Sequence, residues 1–102
     1  MDEQQRQVAD FVEAHGLETP PAYRLLDLVS EVGELAKDAN ESTDYGSTPE
    51  TVSIEPDEIG DALFALLAIA DALEIDAEEA LETAMAKYDA RMDERDTPGS
   101  GT

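Results

Sequence analysis

Two tetrapeptides, Glu31-Val32-Gly33-Glu34 and Glu58-Ile59-Gly60-Asp61, hold the residue types and spacing best suited to chemistry in this chain. Each sets two carboxylates three residues apart, and on a helix positions i and i+3 share a face. Two such helices facing each other would gather four oxygen donors, a set that suits hard divalent ions such as Mg²⁺ or Mn²⁺. Glycine inside a helix costs about 1 kcal/mol relative to alanine. Its recurrence at Gly33 and Gly60 therefore leads us to expect close approach of a neighbouring helix or a ligand there.

Acid spacing alone carries little in so acidic a chain, because Asp10 and Glu13, Asp38 and Glu41, and Glu79 and Glu82 repeat it. Asp27, Glu31, Glu34, Asp38 and Glu41 fall in one arc of their helix, as on an ordinary exposed face, and Asp38 is assigned to its solvated edge. Glu58 and Asp61 differ. Their face continues through Ala65, Ala68 and Ala72, so they head a small-residue packing stripe, where a carboxylate needs a partner or a metal. Lys87, Arg91 and Arg95 follow at i, i+4 and i+8. They either pair with acids and complement a helix C-terminus, or contact phosphate, with lysine as a point charge and arginine as a fork. For Arg95 the first reading is preferred. His15 suits the last turn of a helix, Tyr88 is expected in the core, and Tyr45 lies on the loop between the acid motifs.

The elements that must position these residues read as helices. Val8, Phe11 and Val12 mark a first helix over about Glu3 to His15, ended by Gly16. Thr19-Pro20-Pro21 reads as an N-cap followed by a first-turn proline, opening a second helix to about Asn40. Its apolar stripe is Leu25, Val29, Val32, Leu35, Ala36 and Ala39. Residues 42–54 form a turn-rich connection. A third helix runs from Pro56 to about Leu73. It is apolar on every side from Ala62 to Ala70 and should be central. Asp76 and Glu79 form a capping-box-like pair before a fourth helix with Ala80, Leu81, Ala84, Met85 and Tyr88 on its apolar face. No segment alternates as a strand. The fold class expected is all-α: an antiparallel bundle of about four helices, completed by dimerisation. The single domain would span residues 1–95, followed by a disordered tail, 96–102.

Composition narrows the function. The chain has 102 residues, 26 Asp plus Glu against 6 Lys plus Arg, and net charge −20. Binding to nucleic acid or an anionic membrane through a basic surface is thereby disfavoured. No residue is cysteine, which removes disulfide and thiolate chemistry. The N-terminal residues lack the basic and apolar regions of a signal peptide, and the longest apolar run is too short to span a bilayer. A soluble, cytoplasmic protein is expected. Its charge suits a salt-loaded interior, because at about 1 M salt the screening length falls to roughly 3 Å. An acidic protein with an acidic interaction face is the alternative.

The stretches Leu25-Leu26-Asp27-Leu28-Val29-Ser30-Glu31-Val32-Gly33-Glu34-Leu35-Ala36-Lys37 and Asp57-Glu58-Ile59-Gly60-Asp61-Ala62-Leu63-Phe64 resemble the MazG-like family of all-α nucleoside triphosphate pyrophosphohydrolases. The family signature is Glu-x-x-Glu on one helix and Glu-x-x-Asp on the next. Here 23 residues separate Glu34 from Glu58. The resemblance covers roughly Leu17 to Arg91. It implies a homodimer or homotetramer that uses Mg²⁺ to split a nucleotide between its α and β phosphates. By position, Glu31, Glu34, Glu58 and Asp61 would be the metal ligands, with Glu34 assigned to activate water. Lys87 matches the lysine of the family's Asn-x-Lys, and Arg91 lies near a frequent arginine, both as phosphate contacts. Met85 stands at the asparagine position and Ser30 at that of a frequent glutamate. The rival readings are a phosphoribosyl-ATP pyrophosphohydrolase-like enzyme with a dedicated substrate, and a non-catalytic regulatory dimer that binds metal or nucleotide.

Overall fold

A computed structural model describes residues 2–95; the expected disordered tail from Asp96 lies outside the described residues. Four α-helices are present: α1 (Asp2–Ala14), α2 (Pro21–Ser42), α3 (Pro56–Ala72) and α4 (Ala77–Arg95), with one 3₁₀ turn over Pro49–Thr51. The described residues contain no strand, and none of their helices is long and apolar enough to cross a membrane.

The helix ends follow from local chemistry. Gly16 takes a left-handed φ of 61°, which lets the Leu17 N–H reach back to the Val12 carbonyl at 2.9 Å and close α1. The N-cap of α2 is Pro20, with no side-chain cap, which corrects the assignment of Thr19. Pro21 at the first helical position has no N–H to satisfy, so one donor that a cap would serve is already absent. Asp76 does cap α4: its Oδ1 accepts from the Glu78 and Glu79 amides at 2.9 and 3.2 Å. Gln5 adds a second brace there. Its Nε2 donates to the Ile75 carbonyl at 2.8 Å, and its Oε1 accepts from the Ala77 amide at 2.9 Å.

The connection between α2 and α3 is built around Thr43, which is 6% exposed. Its hydroxyl donates to the Ala39 carbonyl at 2.6 Å and accepts from the Gly46 amide at 3.1 Å. The Thr48 hydroxyl donates to the Thr43 carbonyl, and Thr51 to that of Ser42. These bonds satisfy carbonyls at the end of α2 that have no helical partner, and they fix how the chain re-enters at α3.

Helix α3 is central, as expected, and supplies all three buried apolar residues among those described: Ala65, Leu67 and Ala68. Helices α1 and α2 both pack on it, whereas α4 packs more lightly, on α1 and α3. Phe11 of α1 meets Phe64 of α3 edge to face at 6.0 Å. The radius of gyration is 17.4 Å, against roughly 13 Å for a compact chain of this length.

Two expectations about packing are corrected. Only part of the expected apolar stripe of α2, Leu35 and Ala39, lies on its partly covered face. Leu25, Val29 and Val32 remain at least half exposed, while the partly covered face runs through Arg24, Leu28, Glu31, Leu35, Asp38, Ala39 and Ser42. Tyr88 is not core either: it is exposed beside Leu81, Met85 and Met92 on α4. Leu25, Val29 and Val32 on α2, and Leu81, Met85, Tyr88 and Met92 on α4, have helical spacing and stay largely exposed within the chain.

Candidate active site

The partly covered face of α2 brings the acid motifs together. Helices α2 and α3 run antiparallel, so the later acid of one motif meets the earlier acid of the other. Glu31 and Asp61 line one cavity of about 290 Å³, together with Arg24, Asp27, Phe64 and Ala65. Glu34 lies close enough to Glu58 to act on it electrostatically, as does Asp38. The four carboxylates singled out by spacing thus occupy one seam.

Glu58 carries the most perturbed chemistry. It is half-buried, and its Oε2 is out of solvent without a hydrogen-bond partner. A side-chain hydrogen bond with Asp38 pushes its pKa up to about 7, helped by burial and by the charges of Asp38, Asp57 and Glu34. Two carboxyl groups can hydrogen-bond only if they share a proton. Glu58 also stands in the first turn of α3, where the helix dipole favours a carboxylate. The neighbouring acids outweigh that dipole.

Asp38 is therefore not on a solvated edge. It is half-buried and bonded to Glu58, one helical turn beyond Glu34. The signal that could have found it is the i, i+3, i+7 series Glu31, Glu34, Asp38, which holds one face over two turns. Arg24 was missed for the same reason. It lies seven residues before Glu31 on that face, and it too lines the acid cavity.

Other expected site features are placed elsewhere. Lys87 and Arg91 are exposed on α4, and neither lines the cavity holding Glu31 and Asp61. The Lys87 Nζ lies 5.7 Å from the centre of the Tyr88 ring, within cation–π range. Tyr45 is 79% exposed. At Gly33 and Gly60 an added Cβ would meet nothing within 4 Å, so the chain itself does not make the close approach expected there.

The donor chemistry fits a hard divalent ion: all four side chains offer carboxylate oxygens, and the Glu58 Oε2 is buried and unsatisfied. As the side chains stand, no three acids among the described residues converge on one point closely enough to ligate an ion together.

The fold is all-α, with opposed acid pairs on α2 and α3. The family profile described as "MazG nucleotide pyrophosphohydrolase domain" matches residues 21–95. The chain is 35% identical over 79 residues to "Uncharacterized protein YpjD" of Bacillus subtilis (strain 168), covering 74% of this chain and 69% of the relative. It also superposes on the crystal structure of the Bacillus subtilis "putative pyrophosphatase YPJD". That match has a TM-score of 0.71 and 32% identity, over 86% of this chain and 91% of the other. This chain belongs to the MazG nucleotide pyrophosphohydrolase family.

Proposed function

We propose that the protein is a divalent-cation-dependent nucleotide pyrophosphohydrolase that converts an NTP or dNTP to the nucleoside monophosphate and pyrophosphate. One observation carries the reading: antiparallel α2 and α3 set Glu31 beside Asp61 and Glu34 beside Glu58. Family membership supports it.

Glu31, Glu34, Glu58 and Asp61 would hold Mg²⁺, with Mn²⁺ as the alternative hard ion. When bound, the ion supplies positive charge to the phosphate oxygens and helps position water. Glu34, exposed like Asp61 while Glu31 and Glu58 are half-buried, accepts the proton from the attacking water. The water oxygen joins one phosphorus of the α–β anhydride, the bridging P–O bond breaks, and pyrophosphate leaves from the monophosphate. Asp38 holds Glu58 in place from α2. The working form is a homodimer or homotetramer, in which a second copy covers the apolar stripes of α2 and α4. Those contacts also decide whether Lys87 and Arg91 reach a substrate.

The test is a panel of NTPs and dNTPs, with phosphoribosyl-ATP included, assayed with Mg²⁺ in molar KCl for pyrophosphate and phosphate release. Equimolar pyrophosphate and monophosphate from at least one nucleoside triphosphate is expected. Cleavage of phosphoribosyl-ATP alone would identify a dedicated enzyme. Release of single phosphates, or of nothing, would reject the reading.

A further inference from the structure

We propose that Arg24 is the phosphate-binding cation of this site, and that it holds the pyrophosphate portion of the substrate. The inference rests on the hydrolase reading above and identifies a contact that the acid motifs do not supply.

Arg24 is half-buried on the covered face of α2. Its Nη2 donates to the Leu17 carbonyl at 2.7 Å. That bond ties the guanidinium to the loop between α1 and α2 and uses one of its five N–H donors. The remaining donors keep the planar fork that matches phosphate oxygens in pairs. The same side chain lines the cavity that holds Glu31 and Asp61.

Distances along α2 set the division of labour. Seven residues separate Arg24 from Glu31, an axial rise of about 10 Å, and the Leu17 bond holds the guanidinium toward the N-terminal end of α2. A metal-bound phosphate at Glu31 and Asp61 would thus occupy one end of the cavity and the guanidinium the other. The cavity, about 290 Å³, is at the small end of ligand pockets, roughly 300–1,000 Å³. That is room for a phosphate chain rather than a whole nucleotide. In a chain with only six basic side chains and net charge −20, an inward-facing arginine at the acid seam is the cation best placed to offset a leaving pyrophosphate. The competing role is local: Arg24 would merely balance Asp27 and brace the loop at Leu17.

Calorimetry with inorganic pyrophosphate and Mg²⁺ separates these roles, using wild type, Arg24→Gln, Arg24→Lys and, as a charge-matched control, Arg6→Gln. Arg24→Gln should weaken pyrophosphate binding at least tenfold, and Arg6→Gln less than twofold. Arg24→Lys, which keeps the charge and loses the fork, should fall between them. If loss of the Leu17 contact unfolds Arg24→Gln, as circular dichroism would show, Arg24→Lys against Arg6→Gln gives the decision. Equal weakening by the Arg24 and Arg6 variants, unchanged affinity in folded Arg24 variants, or no pyrophosphate binding by wild type would each overturn the assignment. The two readings fail separately. Arg24-dependent pyrophosphate binding without nucleotide hydrolysis would sink the enzyme. Hydrolysis by wild type with unchanged pyrophosphate affinity in Arg24→Gln would sink only the arginine.

Discussion

Glu58 and Asp38 form a carboxyl pair across the α2–α3 seam, and the pair makes a sign-definite prediction. Glu58 is raised from its ordinary value of 4.5 to about 7, first by its hydrogen bond to Asp38. A carboxyl raised in the folded state contributes stability that is complete below about pH 4.5 and lost as pH rises through about 7. Glu58→Gln, which cannot ionise, should therefore melt above wild type at pH 8, with the gain vanishing near pH 5. A gain that is the same at both pH values would show that Glu58 titrates normally. Asp38→Asn removes the shared proton and one neighbouring charge, so its Mg²⁺ affinity should depend less steeply on pH between 6 and 8 than that of wild type. Titration calorimetry at the two pH values would read this. The acid spacing in the sequence singled out Glu31, Glu34, Glu58 and Asp61, which line the α2–α3 seam. Asp38 stayed hidden because in a run of acids the inward member differs from its neighbours only by helix rotation. That rotation is set by what packs on α2, not by α2 itself.

At the scale of elements, the helices were legible because periodicity, prolines and Gly16 are local signals. The faces were not. The apolar stripe Leu25, Val29, Val32 is the stronger pattern on α2, yet α3 packs on the mixed face through Arg24, Leu28, Glu31 and Leu35. A helix that needs two partners carries two faces, and periodicity reports the greasier one. The α2–α3 connection was also underread. Threonine is not a residue type usually sought in a core, but Thr43 is buried and bonded on both sides of its hydroxyl. Thr43→Val keeps the shape and leaves the Gly46 amide without its acceptor. It should cost about 1–3 kcal/mol in chemical denaturation. Because this connection sets the approach of α3 to α2, Mg²⁺ affinity should fall as well. A stability loss below about 0.5 kcal/mol, the usual range for a surface change, would mean that the loop does not depend on this hydroxyl.

For the whole molecule, exposed surface and charge pull in opposite directions. The surface is 7500 Å², whereas a compact monomer of 11.0 kDa would expose about 5,600 Å². The excess, about 1,900 Å² on one chain, is more than the roughly 800 Å² that each partner of a standard interface buries. Much of it is apolar: Leu25, Val29 and Val32 on α2, and Leu81, Met85, Tyr88 and Met92 on α4. Such continuous stripes are what a second copy would cover. Bringing two copies of net charge −20 together is opposed at 0.1 M salt, where screening extends about 10 Å, and far less so at 1 M, where it extends about 3 Å. Assembly and melting temperature should therefore rise together with KCl at fixed protein concentration. Val29→Glu distinguishes burial by a partner from mere exposure. On a surface open to water the change should stay within about 0.5 kcal/mol. In an interface it places a charge in an apolar contact between two acidic chains, so the protein should become monomeric in 1 M KCl and lose most of its salt-dependent gain in melting temperature. Light scattering and thermal melts at 0.1 M and 1 M KCl measure both effects. A wild type that is monomeric at micromolar concentration in 1 M KCl, or a Val29→Glu protein that assembles and melts like wild type, would show that the α2 stripe faces only water.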